Sequence, residues 1–259
     1  MALLACAGPA QAQEIITLHT RPGVSLSFFI ASMGEVPPKA AALLLIGGGG
    51  NIRLRMEDGR VRFGAQNFLP RSRREFIAEG ILPVILDNPS DQQAGGGMSD
   101  QFRRSAEHVT DMRAVVAEVK RRFPGLPVFV VGTSRSTLSA AHLGLALGDS
   151  ISGIVLSSSL FYVSAGIGAQ RALAAFDWAA LRLPVLLVHH RADACGATPY
   201  ADAARLASRF PLVSVQGGKP PESGPCDPLA PHGFYGKEAE TVGAIAAWMQ
   251  GKAYRKGID

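Results

Sequence analysis

The chain has 259 residues, of which 47% are hydrophobic and 18% are charged, and its formal net charge is +5. This composition excludes a disordered chain, and the length suits one large α/β domain with a sizeable core. No apolar run reaches the roughly 18 residues that a transmembrane helix needs. Arginines between residues 53 and 74 alternate with acidic and apolar residues, which predicts a solvated basic face and no nucleic-acid site.

The first residues combine an apolar run with the small-residue pattern Ala10-Gln11-Ala12. Signal peptidase cuts after such a pattern, so residues 1–12 are predicted to be the remnant of a signal peptide. The mature chain would be a single domain over residues 13–259, secreted or periplasmic. No basic residues precede the apolar run, and lipid anchoring at Cys6 is the alternative.

The predicted elements begin with an antiparallel hairpin and continue as alternating strands and helices. Short alternating runs at residues 14–19 and 24–30 flank the turn-like Pro22-Gly23 and predict the hairpin. Apolar runs predict buried strands at residues 42–46, 81–87, 127–131, 151–157, 184–190 and 212–216. Helices are expected at residues 101–123, 169–181 and 237–250, from their three- and four-residue apolar spacing. Together these elements predict a doubly wound, mostly parallel α/β sheet with little room for a cap.

One motif stands between a predicted buried strand and a predicted helix: Gly132-Thr133-Ser134-Arg135-Ser136. A serine at such a turn projects its hydroxyl away from the sheet, with N–H groups of the helix start behind it. The pattern therefore predicts that Ser134 is an acyl-transfer nucleophile. It departs from the usual motif because Ser136 replaces the second glycine, which keeps a non-catalytic binding protein open as an alternative.

A serine hydroxyl needs a base and a group that orients the base. Asp193 directly follows one strand, and His232 follows the next strand after a long loop. Both positions lie at the carboxyl edge of the sheet, where open α/β sheets build their sites. We therefore expect a Ser134, Asp193, His232 triad, with Asp227 as the rival acid.

This chain order of serine, acid and histidine resembles that of the α/β-hydrolase fold superfamily, in particular small secreted serine esterases. The resemblance implies hydrolysis of a small-molecule carboxylic ester without a cofactor. It also implies an oxyanion hole formed by the N–H groups of Arg135 and of the glycine loop after the third strand, where Gly48 and Gly49 are the predicted donors. Amide, thioester or lactone hydrolysis would use the same groups, and the oligomeric state stays open.

Two further sets of residues have side chains of the kinds that form disulfides or bind metals. Removal of the leader leaves Cys195 and Cys226, an even number that favours a disulfide in an oxidising compartment; two buried free thiols are the alternative. His189, His190, Asp193 and Cys195 are residue types that bind zinc. Because adjacent strand residues face opposite sides of a sheet, His189 and His190 are predicted to be structural, and no metal site is predicted.

Overall fold

The hairpin predicted at the start of the chain is present in the computed structural model, which describes residues 14–30, 33–34, 37–64, 66–163 and 171–259. Strands β1 (Glu14–Arg21) and β2 (Val24–Ile30) pair antiparallel. Gly23 between them has a φ of +70°, which glycine adopts without steric cost. Residues 1–13 lie outside the described part of the chain, so the signal segment and the domain division at residue 13 stay predictions.

Seven more strands extend this hairpin into one sheet. They are β3 (Ala40–Leu45), β6 (Ile81–Leu86), β7 (Val128–Thr133), β8 (Gly153–Ser157), β9 (Val185–His190), β10 (Leu212–Val215) and β11 (Gly257–Ile258). The order across the sheet is β1-β2-β6-β3-β7-β8-β9-β10-β11. Strand β2 pairs antiparallel with β6, and all later pairs are parallel. The predicted mixed, mostly parallel sheet is confirmed.

Helices cover both faces of the sheet. They are α1 (Phe68–Arg71), α2 (Arg73–Ala78), α3 (Ala106–Arg122), α4 (Thr137–Leu147), α5 (Tyr200–Leu206) and α6 (Glu238–Met249). Leu43 and Leu45 of β3 belong to the core formed with α3 and α4. Ala42 and Leu44 belong to the opposite core, formed with α2 and α6. Every residue of β3 is buried, as a strand covered on both faces requires.

The helix predicted over residues 101–123 is interrupted at Ser105. A single turn, Phe102–Arg104, precedes it, and α3 begins at Ala106. Ser105 has extended backbone angles, and its hydroxyl accepts a hydrogen bond from the N–H of His108 at 3.2 Å. This contact caps the helix, so the local side-chain bond overrides the continuous apolar spacing.

The helix predicted over residues 169–181 is wrong for the described residues, and residues 169–170 lie outside them. Two short turns occupy this stretch, Leu173–Ala175 and Trp178–Ala180. The N–H groups of Ala172 and Ala174 both bond to the carbonyl of Phe161, which draws the chain toward the preceding loop. Asp177 then accepts from the N–H of Ala179 at 3.0 Å. Long-range backbone bonds and an aspartate turn thus replace the helical pattern.

A small hairpin lies between β3 and α1 and was not predicted. Its strands are β4 (Arg55–Glu57) and β5 (Arg60–Arg62), joined by Asp58 and Gly59. The arginines of both strands are exposed, as expected for the basic face. Between β8 and β9 the described residues form only short turns and one isolated bridge, which fits the minimal cap. Among the helices that the structure describes, none has the length and apolar character to span a membrane.

Candidate active site

Ser134 lies at the turn between β7 and α4, as the motif predicted. Its φ is +54°, a conformation that costs free energy for any residue with a Cβ. Gly132 makes this turn feasible, because a Cβ there would lie 2.8 Å from the Ser136 carbonyl oxygen and 3.0 Å from the Ala140 Cβ. The Thr137 hydroxyl donates to the Ser134 carbonyl at 2.6 Å. The local structure therefore presents Ser134 in the geometry of a nucleophile elbow.

Ser136, which departs from the usual glycine, is fully buried with its hydroxyl hydrogen-bonded. Its Oγ accepts from the Thr133 N–H at 2.8 Å. The same Oγ lies 2.7 Å from the Leu45 carbonyl and 2.9 Å from the Thr133 carbonyl, and its one proton serves these acceptors. Ser136 thus ties the end of β3 to the turn that carries Ser134.

Asp193 and His232 contact each other through side chains at the same edge of the sheet. His232 Nδ1 lies 3.0 Å from Asp193 Oδ2, and the Asp193 side chain is completely buried. The same carboxylate accepts from the Thr198 hydroxyl at 2.8 Å and from the Cys195 N–H at 3.0 Å. The Ser158 hydroxyl donates to the His232 carbonyl at 2.8 Å. Both members of the pair are therefore fixed in position by neighbouring groups.

The second nitrogen of His232 is left free by the contact with Asp193. In the part of the chain that the structure describes, His232 Nε2 has no hydrogen-bond partner. His232 and Ser134 line the same cavity of about 160 Å³, together with Gly47, Gly48 and Asp227. An imidazole whose Nδ1–H donates to a carboxylate keeps Nε2 free to accept a proton.

The glycine loop after β3 approaches Ser134 closely. A Cβ at Gly47 would lie 3.2 Å from the Ser134 Cβ and 3.0 Å from the Thr133 carbonyl oxygen. Gly48 has a φ of +61° and lines the Ser134 cavity. Gly49 lines a different cavity, and its carbonyl accepts from the Met98 N–H at 2.9 Å. Of the two predicted glycine donors, the structure therefore brings Gly48 to Ser134 and places Gly49 in the neighbouring wall.

Two side chains that sequence reasoning missed hold this loop from behind. Arg103 is buried, and its guanidinium donates to the Gly48 carbonyl at 2.8 Å and to the Ser139 hydroxyl at 3.2 Å. Burial, together with the smaller effect of the Arg135 charge, lowers the pKa of Arg103 to about 10. Asn88 donates to the Gly49 carbonyl at 2.9 Å. No motif in the sequence signals either residue.

The disulfide predicted between Cys195 and Cys226 is present. Cys195 is buried two residues after Asp193, and Cys226 lies in the exposed loop that leads to His232. The bond therefore joins the turn that carries the acid to the loop that carries the histidine.

The rival acid Asp227 forms no hydrogen bond or ion pair with His232, although both line the same cavity. It is exposed, and its carboxylate accepts from the Gly224 N–H at 3.1 Å. Arg135, the predicted second donor of the oxyanion hole, follows Ser134 directly, and its side chain forms an ion pair with Asp100 at 2.5 Å. The backbone N–H of Arg135 belongs to the turn Ser134–Ser136, which leads into α4.

The remaining histidines of this edge form hydrogen bonds within the fold. His189 Nε2 accepts from the Ser159 N–H at 2.8 Å, and burial lowers the pKa of His189 to about 3. His190 Nδ1 accepts from the Ala192 N–H at 3.1 Å, and burial lowers its pKa also. Over the described residues no group of three or more potential ligands is arranged to hold a metal.

The sheet order, the helices on both faces and the edge that carries Ser134, Asp193 and His232 define an α/β hydrolase. A family model described as serine aminopeptidase, S33 (Hydrolase_4), matches residues 75–218, which is more than half of the chain. The chain belongs to this family. The match includes Ser134 and Asp193 and ends before His232.

Solved structures with the same fold support this class. An α/β serine hydrolase homologue from Coxiella burnetii has a TM-score of 0.60 at 12% identity, over 92% of this chain and 95% of that chain. Est1E from Butyrivibrio proteoclasticus, solved with ferulic acid, has a TM-score of 0.61 at 15% identity, over 92% of this chain and 100% of that chain.

A third structure is XC6422 from Xanthomonas campestris, described as an α/β serine hydrolase without lid. Its TM-score is 0.54 at 15% identity, over 90% of this chain and 94% of that chain. At these identities the likeness is one of fold. No curated protein matches the chain in sequence.

Proposed function

We propose that the protein is a serine hydrolase that cleaves carboxylic esters through an acyl-enzyme intermediate. The observation that carries the proposal is the 3.0 Å contact between His232 Nδ1 and Asp193 Oδ2. His232 Nε2 has no hydrogen-bond partner among the described residues, and His232 lines the same cavity as Ser134. A buried carboxylate that orients an imidazole next to a strained serine is the arrangement that nucleophilic catalysis requires.

In the proposed reaction Ser134 Oγ attacks the ester carbonyl carbon while His232 Nε2 takes the hydroxyl proton. The N–H groups of Arg135 and Gly48 stabilise the oxyanion of the tetrahedral intermediate. His232 then protonates the leaving alcohol, and the acyl group stays on Ser134. Water attacks the acyl-enzyme with His232 as base, which releases the carboxylic acid and regenerates the serine. Asp193 holds the imidazole and stabilises its protonated form.

A peptide amide is the second candidate substrate, and two observations favour it. The family model is described as a serine aminopeptidase. In addition, Asp227 lines the Ser134 cavity, where a carboxylate would suit the ammonium group of a peptide amino terminus. An ester remains the first choice because its alcohol leaves more readily than an amine. The departure at Ser136, which keeps a non-catalytic binding protein open as an alternative, is accommodated by the hydrogen bonds of its hydroxyl.

Matched substrates and variants test the proposal. The protein is expected to hydrolyse p-nitrophenyl acetate or butyrate faster than an aminoacyl p-nitroanilide. Ser134→Ala should remove at least about three orders of magnitude of this activity, as loss of the nucleophile does in serine triads. The matched control is Ser136→Ala, assayed per folded protein. If Ser134→Ala retains more than about a tenth of the activity while Ser136→Ala loses it, the nucleophile is misassigned. A faster reaction with the anilide would establish the peptide alternative.

Secretion or transfer to the periplasm belongs to the same proposal. The disulfide between Cys195 and Cys226 supports it, because such bonds persist in oxidising compartments. The proposed cut before Gln13 lies outside the described residues. Sequencing the amino-terminal peptide of protein that its own leader has exported tests this cut. A start at Gln13 is expected, whereas a lipid-modified Cys6 would show that the protein is anchored.

A further inference from the structure

A second, larger cavity adjoins the one that contains Ser134. Its volume is about 480 Å³, and Gly47 and Asn67 line both cavities. The acyl-transfer steps at Ser134 do not need the larger cavity. A substituent on the substrate would extend into it, because the two cavities share part of their lining. Its walls therefore bear on which esters the site accepts.

One wall consists of two glycine loops packed backbone against backbone. A Cβ at Gly49 would collide with the Gly96 carbonyl, and a Cβ at Gly97 would collide with the Gly49 carbonyl. The N–H groups of Gly49 and Gly96 donate to no acceptor among the described residues. Backbone N–H groups without a protein acceptor are available to an anionic ligand that binds against these loops.

Another part of the lining is a loop that a buried carboxylate holds in place. Asp87 accepts from the Ile52 N–H at 3.0 Å and from the Leu54 N–H at 2.7 Å. Asn51 accepts from the Arg53 N–H at 3.0 Å and donates to the Gln93 carbonyl at 2.9 Å. Arg53 between these contacts has a φ of +52°, which is unusual for a residue with a long side chain. These bonds fix the backbone at Arg53 and at the residues on either side of it.

Arg53 is the charged residue of this cavity. The lining contains no carboxylate and two large apolar residues, Ile46 and Ile52. Arg55 and Arg62 of the neighbouring hairpin share Glu57 at 3.3 and 3.7 Å. Arg53 forms no ion pair with any residue that the structure describes. A single unpaired cation among polar walls suits a ligand with one negative charge.

We infer that the preferred substrates are esters that carry a carboxylate, which binds in the larger cavity beside Arg53. This inference rests on the proposed function, because the ester must reach Ser134 while its carboxylate occupies the cavity. A long alkyl chain would meet only two large apolar side chains there, Ile46 and Ile52, and an extra negative charge would lack a second cation.

Two pairs of esters with equal numbers of heavy atoms test the inference. Monoethyl succinate and ethyl isocaproate differ in charge on the acyl side, and β-acetoxypropionate and isoamyl acetate differ in charge on the alcohol side. In at least one pair kcat/KM should favour the carboxylate by about tenfold, as a charge-assisted hydrogen bond predicts. Arg53→Gln should reduce this preference by about the same factor. Arg55→Gln, which removes the same charge from the paired arginine, should preserve the preference.

The outcomes separate this inference from the proposed function. If the neutral esters are hydrolysed in a reaction that depends on Ser134, and the charged esters are not preferred, the inference is overturned while the proposed function stands. Equal loss of the preference in both arginine variants would also overturn the inference, because the preference would then reflect the overall positive charge of the protein and not Arg53. If none of the esters reacts, calorimetry decides: monoethyl succinate should still bind the Ser134→Ala variant, more weakly after Arg53→Gln. The absence of that binding would contradict the inference as well.

Discussion

Ser134 has a backbone conformation that its neighbours impose. A φ of +54° costs roughly 1–3 kcal/mol for a residue other than glycine. Gly132 leaves room for the turn, and the buried Ser136 hydroxyl bonds to both the turn and β3. The sequence predicted the elbow because the small residues and the flanking elements follow a local pattern. It did not predict how the serine at position 136 fits where glycine is usual: its hydroxyl bonds to Leu45, which lies far away in the chain.

The choice between Asp193 and Asp227 is testable at single residues. Asp193→Asn should lower kcat far more than Asp227→Asn. An amide oriented toward His232 Nδ1 favours the wrong imidazole tautomer and leaves the imidazolium unstabilised, which costs about four orders of magnitude in a comparable triad. Asp227 is exposed and bonded within its own loop. Steady-state kinetics of both variants with one ester decide the matter, and the reverse ranking would assign the acid to Asp227.

Arg103 is expected to act as a positioning residue for the glycine loop. Arg103→Met removes the donor to the Gly48 carbonyl, so Gly48 should become less well oriented toward the oxyanion. We expect kcat to fall by about tenfold or more with little change in KM, because the oxyanion forms only in the transition state. Arg103→Lys should recover part of the rate.

The matched control is Arg104→Met, which changes an exposed neighbour. Circular dichroism and melting temperature separate folding from catalysis in these variants. A fall in stability with an unchanged rate per folded molecule would show that Arg103 serves the fold alone.

At the level of elements, the buried strands were predicted well because continuous apolar runs are a local signal. The helices were predicted less evenly. Helix α6 agrees with its apolar spacing, whereas Ser105 divides the stretch before α3. The stretch before β9 forms turns because its backbone bonds to Phe161. The break at Ser105 comes from a local cap. The failed helix before β9 comes from contacts between segments that are distant in sequence, which leave no periodic signal.

The disulfide links the two loops that carry the proposed acid and base. Mild reduction should lower both the melting temperature and kcat, with less effect on KM. Opening the loop between Cys195 and Cys226, which are 31 residues apart, releases unfolded-state entropy of roughly 3–4 kcal/mol in the chain-entropy model. The His232 loop would also lose its tie to the Asp193 turn, so the triad would be held less accurately.

A non-reduced tryptic digest of the exported protein provides the check. The peptides of residues 192–205 and 210–237 each contain one cysteine and should be recovered as one linked species. Recovery of both as free thiols would contradict the proposal of an oxidising compartment. Reduction that lowers the melting temperature but leaves kcat unchanged would limit the bond to a structural role.

At the level of the whole molecule, the site follows from the sheet order. Strands β7, β8, β9 and β10 are parallel neighbours, so Ser134, Asp193 and His232 meet at their carboxyl edge. This convergence could be predicted, because strand order constrains where the loops emerge. The wall around Arg53 and the support from Arg103 could not, because each depends on how several irregular loops pack together.

Labelling with a fluorophosphonate tests the central claim most directly, since this reagent reacts with an activated serine and needs no choice of substrate. Trypsin cuts after Arg135 and so separates Ser134 from Ser136 into different peptides. The account predicts one label per molecule, found on Ser134 in the peptide of residues 123–135, and none in Ser134→Ala or after His232→Ala at the same exposure. A label on the peptide that begins at Ser136, or an unlabelled but folded protein, would contradict it.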